Sequence, residues 1–446
     1  MEITGKRVIV VGLGQSGIAA ARLCAARGAH VVAADAAPLE RLHAAVRELD
    51  AEVVTGGYEG VRFEGADLIV VSPGVPAFPA LGAAEAAGVE VVGELELAWR
   101  CLDAPLSLVG GTNGKSTTTT LLGHLVAASG ARTFVGGNLG TPLSEAVGGG
   151  WDALVVEASS FQLERAPTLR PRVGVLLNIS EDHLDRYPDL AAYARAKGNA
   201  FINQTPEDIA VICAGDRLCA EQAARGRGRV VSFGPGGDYS VDGREVVEHA
   251  GGERFSLEGA DLHGRHNLDD AAAAIAAARV LGVSRQAISD GLSRFRALPH
   301  RMALAGVVDR ITFYDDSKGT NVGAAVTALS GLTEPRGVLI AGGRDKLGSY
   351  EPLVAALEDK GRALVVIGEA ADRIAAALGD RLPVERADSM RAAVECAYRL
   401  ARPGDAVLLS PACSSLDMFK SYAERGSSFV KAVGELAARP RLEEAR

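Results

Sequence analysis

Short runs of Val, Ile and Leu recur along the whole chain. Each is followed by a glycine or polar turn and then by an Ala-, Leu- and Arg-containing stretch of helical spacing. The runs at 8–11, 30–34, 68–71, 106–109, 153–156 and 173–177 predict strands, as do those at 311–314, 338–340, 364–367 and 406–409. They are apolar throughout and do not alternate, so they predict parallel sheets with helices on both faces, an α/β architecture. Residues 229–260 break the rhythm, and their Gly-rich turns predict antiparallel hairpins attached to the second sheet. A fresh strand begins after 103–105, and a helical stretch stops at a proline near 297–299. Three units are therefore expected, at 1–103, 104–297 and 298–446.

Composition narrows the possibilities. The 446 residues, 48% hydrophobic and 23% charged, suit two to four folded domains of about 100–200 residues. A net charge of −9 argues against a nucleic-acid partner. It leaves anionic small molecules open, because local cations and helix N-termini bind them against the global sign. The six cysteines (24, 101, 213, 219, 396, 413) form no C-x-x-C pair, which points to a reduced, cytoplasmic setting. The apolar run at 8–11 enters a glycine turn and reads as a buried strand, not a signal peptide. No apolar stretch reaches the roughly 18–20 residues of a membrane helix. The Ala-rich 271–278, flanked by Asp269, Asp270 and Arg279, reads as a packed helix.

The most specific chemical signal is Gly110-Gly111-Thr112-Asn113-Gly114-Lys115-Ser116-Thr117. It follows the 106–109 strand and opens a helical run, the context of a phosphate loop. Glycines admit phosphates to backbone N–H groups, Lys115 supplies charge for the β/γ oxygens, and Ser116 or Thr117 can ligate Mg²⁺. Val109 stands five positions before Gly114, so the loop is a shortened variant of the usual spacing. The middle unit is accordingly expected to be P-loop ATPase-like. Glu157 closes the next strand, where a nucleotide-bound Mg²⁺ is met. His183 follows a third strand and could ligate a second Mg²⁺; taken alone it reads more readily as a surface or structural histidine, and Lys197 alone reads as a helix-surface lysine.

The outer units carry weaker signals. Gly12-Leu13-Gly14-Gln15-Ser16-Gly17 follows a strand and opens a helix, and Asp35 ends the next strand. That is a Rossmann-like fingerprint for a pyrophosphate, and it does not separate NAD from another diphosphate nucleotide. Ser72-Pro73-Gly74 can complete the same crevice. The last unit, also expected to be Rossmann-like, places Asp316 to Asn321, Gly342 to Lys346 and Ser410 to Ser415 after its strands. Lys318, Thr320, Lys346 and Ser415 form a carboxylate-binding set, although each taken singly can also cap a helix or face solvent. Arg301, at the second boundary, has the planar fork that suits a γ-phosphate.

Together these motifs resemble the Mur ligase family, over nearly the whole chain from Gly12 to Phe429. The residues Gly111 to Thr117 carry the family likeness. Ser159-Ser160-Phe161-Gln162-Leu163-Glu164, Glu181-Asp182-His183-Leu184-Asp185-Arg186-Tyr187-Pro188, Asp316 to Asn321 and Leu409 to Cys413 suggest its D-glutamate-adding branch. The resemblance implies an ATP-dependent ligase of peptidoglycan precursor synthesis that joins UDP-N-acetylmuramoyl-L-alanine to D-glutamate through an acyl phosphate. It implies two Mg²⁺ sites, with Ser116 and Glu157 at the first and His183 and a carbamylated Lys197 at the second. Catalysis then falls to Lys115, His183, Lys197 and Arg301. ATP is assigned to residues 111–117, Arg301, Asn267 for adenine and Asp316 for ribose. The UDP substrate is assigned to Gly14, Gln15, Ser16, Gly17, Asp35, Ser72, Pro73, Gly74, Asn138, Gln162 and His183. D-glutamate is assigned to Lys318, Thr320, Lys346, Ser415 and Tyr422. Three positions depart from the family pattern: Asp270 where Asn is frequent, Tyr422 where Phe is frequent, and Ala36 after Asp35. A monomer acting on small molecules is expected. A nucleotide-dependent dehydrogenase leaves the second phosphate loop unexplained, a P-loop motor leaves the first-unit turn idle, and a ligase for another amino acid differs only in its acceptor.

Overall fold

The computed structural model describes residues 1–183, 186–345 and 348–438. Three sheets follow one another along the chain. β1 (Arg7–Val11), β2 (His30–Asp35), β3 (Glu52–Thr55), β4 (Leu68–Val71) and β5 (Val91–Gly93) form the first, in the order β3-β2-β1-β4-β5, parallel throughout. The second contains β6 (Leu106–Gly110), β7 (Thr133–Gly137), β8 (Ala153–Glu157), β9 (Val173–Leu176) and β10 (Ile209–Cys213). It continues through β11 (Arg229–Phe233), β12 (Tyr239–Asp242), β13 (Glu245–Glu248) and β14 (Glu253–Ser256), in the order β14-β13-β12-β11-β10-β9-β6-β8-β7. The third contains β15 (Ala303–Val308), β16 (Ile311–Asp315), β17 (Gly337–Gly342), β18 (Gly361–Ile367), β19 (Val384–Arg386) and β20 (Ala406–Leu409), in the order β15-β16-β20-β17-β18-β19. Its strands are parallel except for β15, which runs antiparallel to β16.

The expected α/β class therefore holds, with one refinement in the 229–260 stretch. β11 pairs in parallel with β10 and extends the main sheet, and only β12–β14 form antiparallel hairpins. Strands β3, β5, β7, β15 and β19, none of which shows a strong apolar run, lie at sheet edges. An edge strand is half-covered, so its sequence need not be apolar on both faces.

Packing makes the phosphate-binding end rigid. The helix Lys115–Ala128 buries Leu121, Leu122, Leu125 and Val126. Beside it lies the helix Arg265–Val280, in which Ala271 to Ala278 are all fully buried. A helix apolar all round is a core helix, and alanine lets its backbone approach its neighbours closely. Two buried carboxylates join the first and second units. Glu94 accepts from the Ser144 N–H at 2.6 Å, and Glu96 accepts from the Thr168 and Leu169 N–H groups, both at 3.1 Å, and pairs with Arg100.

Candidate active site

The phosphate loop is the turn between β6 and the helix Lys115–Ala128. Gly114, the N-cap, has φ 83° and provides no side-chain cap, so the first-turn N–H groups stay open to an anion. A Cβ at Gly114 would lie 2.2 Å from Asp270 Oδ1, so both the backbone conformation and the available space require glycine. Asn178, just past β9, braces the loop. Its carbonyl accepts from Thr112 N–H at 2.9 Å, and its Oδ1 accepts from Asn113 N–H at 2.9 Å. Lys115 is folded back onto its own loop, with Nζ donating to the carbonyls of Gly111 at 3.0 Å and Thr112 at 2.7 Å. Burial lowers its pKa, and the carboxylate of Glu157 opposes that effect.

Glu157 ends β8 beside this loop. Ser116 Oγ donates to Glu157 Oε2, Asn138 Nδ2 donates to Oε1 at 2.6 Å, and Arg301 of the third unit donates to Ser116 Oγ at 2.6 Å. A hydroxyl and a carboxylate side by side at a phosphate loop are hard oxygen donors, and they fit Mg²⁺. The expected second site is different. Lys197 is 2% exposed, its Nζ donates to the Gly111 carbonyl at 2.6 Å, and it lies 4.4 Å from the Tyr193 ring centroid. His183 packs its ring 4.8 Å from Phe161 and 6.2 Å from Tyr193, with its Nε2 3.7 Å from Asp182. Unmodified, this imidazole and amine do not make a Mg²⁺ site. Among the described residues, no group of three or more His, Cys, Asp or Glu is placed to hold a metal. Burial, then the charge of Lys115, pushes the Lys197 pKa well below its ordinary value.

Residues from two units line one cavity of about 220 Å³. Thr112 to Thr117, Asn138, Glu157, His183 and Asn267 face Arg301, Asp316, Lys318 and Thr320 across it. Burial raises both Asp270 and Asp316 to about 7, with Arg301 opposing the rise in each case. It lowers Lys318 to about 8 and His266 to about 4. For Asp270 the folded pKa exceeds the ordinary 3.8, so the native state binds more protons than the unfolded chain between the two values. Its contribution to stability therefore falls as pH rises through that window. Asp270→Asn is expected to raise the melting temperature at pH 8 by at least about 2 °C more than at pH 5. Equal shifts in melts at the two pH values would refute this.

The remaining expected residues lie elsewhere. Gly14, Gln15, Ser16 and Gly17 open the helix Gln15–Ala26, which also lacks a side-chain cap. Asp35 braces that turn by accepting from Leu13 N–H at 2.6 Å while its other oxygen accepts from Ala37 N–H at 2.8 Å, and Ser72 Oγ donates to the Gly12 carbonyl at 2.7 Å. With Pro73 and Gly74, these residues stay outside the central cavity. Gln162 is buried, and its side chain completes a capping box with Ser159. Ser415 and Tyr422 border a separate recess of about 310 Å³ that shares Lys318 and Thr320 with the cavity, and Lys318 Nζ sits 3.9 Å from the Tyr422 ring centroid. Lys346 lies outside the described residues. The cavity also includes Asp182, His266, Asp270 and Asn321, which had no assigned role. Asp182 and Asn321 sit inside motifs singled out from the sequence, and His266 precedes Asn267, but nothing local says which way each side chain points.

Fold and site together define a phosphate-loop α/β ligase whose last unit covers the loop of the middle one. Family profiles match along the chain: "Mur ligase MurD-like, N-terminal domain" at 6–93, "Mur ligase middle domain" at 109–278 and "Mur ligase, glutamate ligase domain" at 300–413. A UDP-N-acetylmuramoylalanine–D-glutamate ligase of Syntrophotalea carbinolica is 44% identical, covering 98% of this chain and 99% of that one. One of the same name from Trichlorobacter lovleyi is also 44% identical, covering 98% and 100%. In fold, MurF ligase from Thermotoga maritima, solved in complex with ADP, superposes with TM-score 0.61 at 18% identity, covering 98% of this chain and 97% of that one. The chain belongs to the Mur ligase family.

Proposed function

We propose that this chain uses ATP to join D-glutamate to UDP-N-acetylmuramoyl-L-alanine, forming ADP and phosphate in peptidoglycan precursor synthesis. The observation that supports this most directly is Arg301 reaching Ser116 beside Glu157, which puts a cation of the acceptor-side unit on the phosphate loop. Relatives of that activity at 44% identity over 98% of the chain support the choice of substrates.

In this reading, units 1–103, 104–297 and 298–446 bind the UDP substrate, ATP and the amino acid respectively. The open helix start at Gly14–Gly17, with Asp35 and Ser72 to Gly74, takes the UDP moiety; Asn138, Gln162 and His183 serve its muramyl end. Residues 111–117 cradle the triphosphate, with Asn267 and Asp316 on the nucleoside. Lys115 and Arg301 lower the cost of charge spreading over the transferring phosphoryl group, which moves from ATP to the alanyl carboxylate. Mg²⁺ held by Ser116 and Glu157 would supply further charge neutralisation. Lys318, Thr320, Ser415 and Tyr422, with Lys346, orient the two carboxylates of D-glutamate. Its neutral amine then attacks the acyl carbon, the C–N bond forms, the nitrogen loses a proton and phosphate leaves. Addition of the Lys197 amine to CO₂, with loss of a proton, would give a carbamate whose oxygens could hold a second Mg²⁺ beside His183. We place the enzyme in the cytoplasm, acting as a monomer; no described helix is long and apolar enough to cross a membrane.

Phosphate release is expected only when ATP, Mg²⁺, UDP-N-acetylmuramoyl-L-alanine and D-glutamate are all present. Release with L-lysine or diaminopimelate in place of D-glutamate would overturn the acceptor assignment.

A further inference from the structure

We propose that Asn321 is a positioning residue that sets the register of the acceptor-side unit on the phosphate loop; the proposal rests on the reaction assigned above. Asn321 is the N-cap of the helix Val322–Ser330, and its Oδ1 accepts from Ala324 N–H at 2.7 Å. That bond fixes which way the amide faces. Its Nδ2 therefore points across the cleft, donating to Asn113 Oδ1 at 3.3 Å and Asp182 Oδ2 at 3.1 Å.

Each of these partners belongs to a loop with its own task. Asn113 lies in the phosphate loop, and Asn178 holds it at both its N–H and its carbonyl, at 2.9 and 3.2 Å. Asp182 precedes His183. A continuous run of side-chain amides thus leads from the end of β9 through the phosphate loop into the third unit. On the far side, Asn321 directly follows Thr320 in a stiff turn. There Gly319 N–H bonds the Asp316 carbonyl and Thr320 N–H bonds the Lys318 carbonyl, both at 2.8 Å. Shifting Asn321 therefore shifts Lys318 and Thr320. Arg301 touches Ser116, three residues along from Asn113, so the two contacts pin the third unit at two points of the loop and fix its orientation as well as its distance. A misplacement of about 1 Å at such a site costs on the order of a hundredfold in rate.

Asn321→Ser separates the two jobs of the residue. Serine caps a helix about as well as asparagine, but it is too short to cross the cleft. The variant is expected to melt within about 2 °C of the parent and to bind ADP within about threefold. Turnover should fall about 10–100-fold, with a raised KM for D-glutamate. Wild-type turnover with D-glutamate checks the underlying assignment separately. A double-mutant cycle with Asn113→Ala then reads the contact itself. If the contact carries register, the double variant is little worse than the worse single one. Multiplying losses, or wild-type turnover in Asn321→Ser, would overturn the proposal. Loss of both stability and ADP binding would do the same, by making Asn321 a residue of the fold alone.

Discussion

Lys115→Ala is expected to lower phosphate release by about 10²–10³-fold, the usual effect of removing one preorganised donor from a developing anion. In the structure, the Lys115 ammonium is held by the carbonyls of Gly111 and Thr112, with no carboxylate among the described residues bonded to it. Two neutral acceptors keep it in place without pairing its charge, and Glu157 opposes the effect of burial on its pKa. The substitution leaves the apolar face of its helix intact, with Leu121, Leu122 and Leu125 all fully buried. Circular dichroism and the melting temperature of the nucleotide-free protein should therefore change little. Turnover near the wild-type rate in a folded variant would remove Lys115 from the mechanism.

If Lys197 acts as the proposed carbamate, Lys197→Ala and Lys197→Met should each lose at least about a hundredfold in turnover, because each removes the oxygen ligand that this reading requires, worth several kcal/mol of charge stabilisation. The two variants differ in the volume they leave open. Alanine leaves a space beside Tyr193 and the Gly111 carbonyl that a small carboxylic acid can enter, whereas methionine fills it. Added formate or acetate is expected to restore part of the activity to Lys197→Ala and none to Lys197→Met. Equal rescue of both, or an active Lys197→Met, would show that no carboxylate oxygen is needed there.

How far the site was legible in the sequence depended on distance along the chain. The phosphate loop was legible because its chemistry is local. Consecutive backbone N–H groups, a lysine and a hydroxyl lie within eight residues, and the strand and helix that present them adjoin the motif. Glu157 was legible for a related reason, since parallel strands bring their carboxyl ends to one edge. Asn321 was not, because its partner Asn113 is 208 positions away; the same holds for the Arg301–Ser116 bond, which spans 185. Side-chain orientation was not legible either: one Asp35 carboxylate oxygen accepts from Leu13 N–H in the glycine turn and the other from Ala37 N–H just past its own strand.

Apolar runs and glycine turns were enough to establish the three α/β sheets and the identity of the phosphate-binding element, because burial and backbone freedom act on neighbouring residues. Burial in the assembled cleft shifts Asp270, Asp316 and Lys318 from their ordinary values, since a pKa responds to whatever surrounds the group. The packing of the third unit against the second placed Arg301 and Asn321 on the phosphate loop. Contacts of that kind depend on the relative position of whole units, which no local stretch of residues encodes.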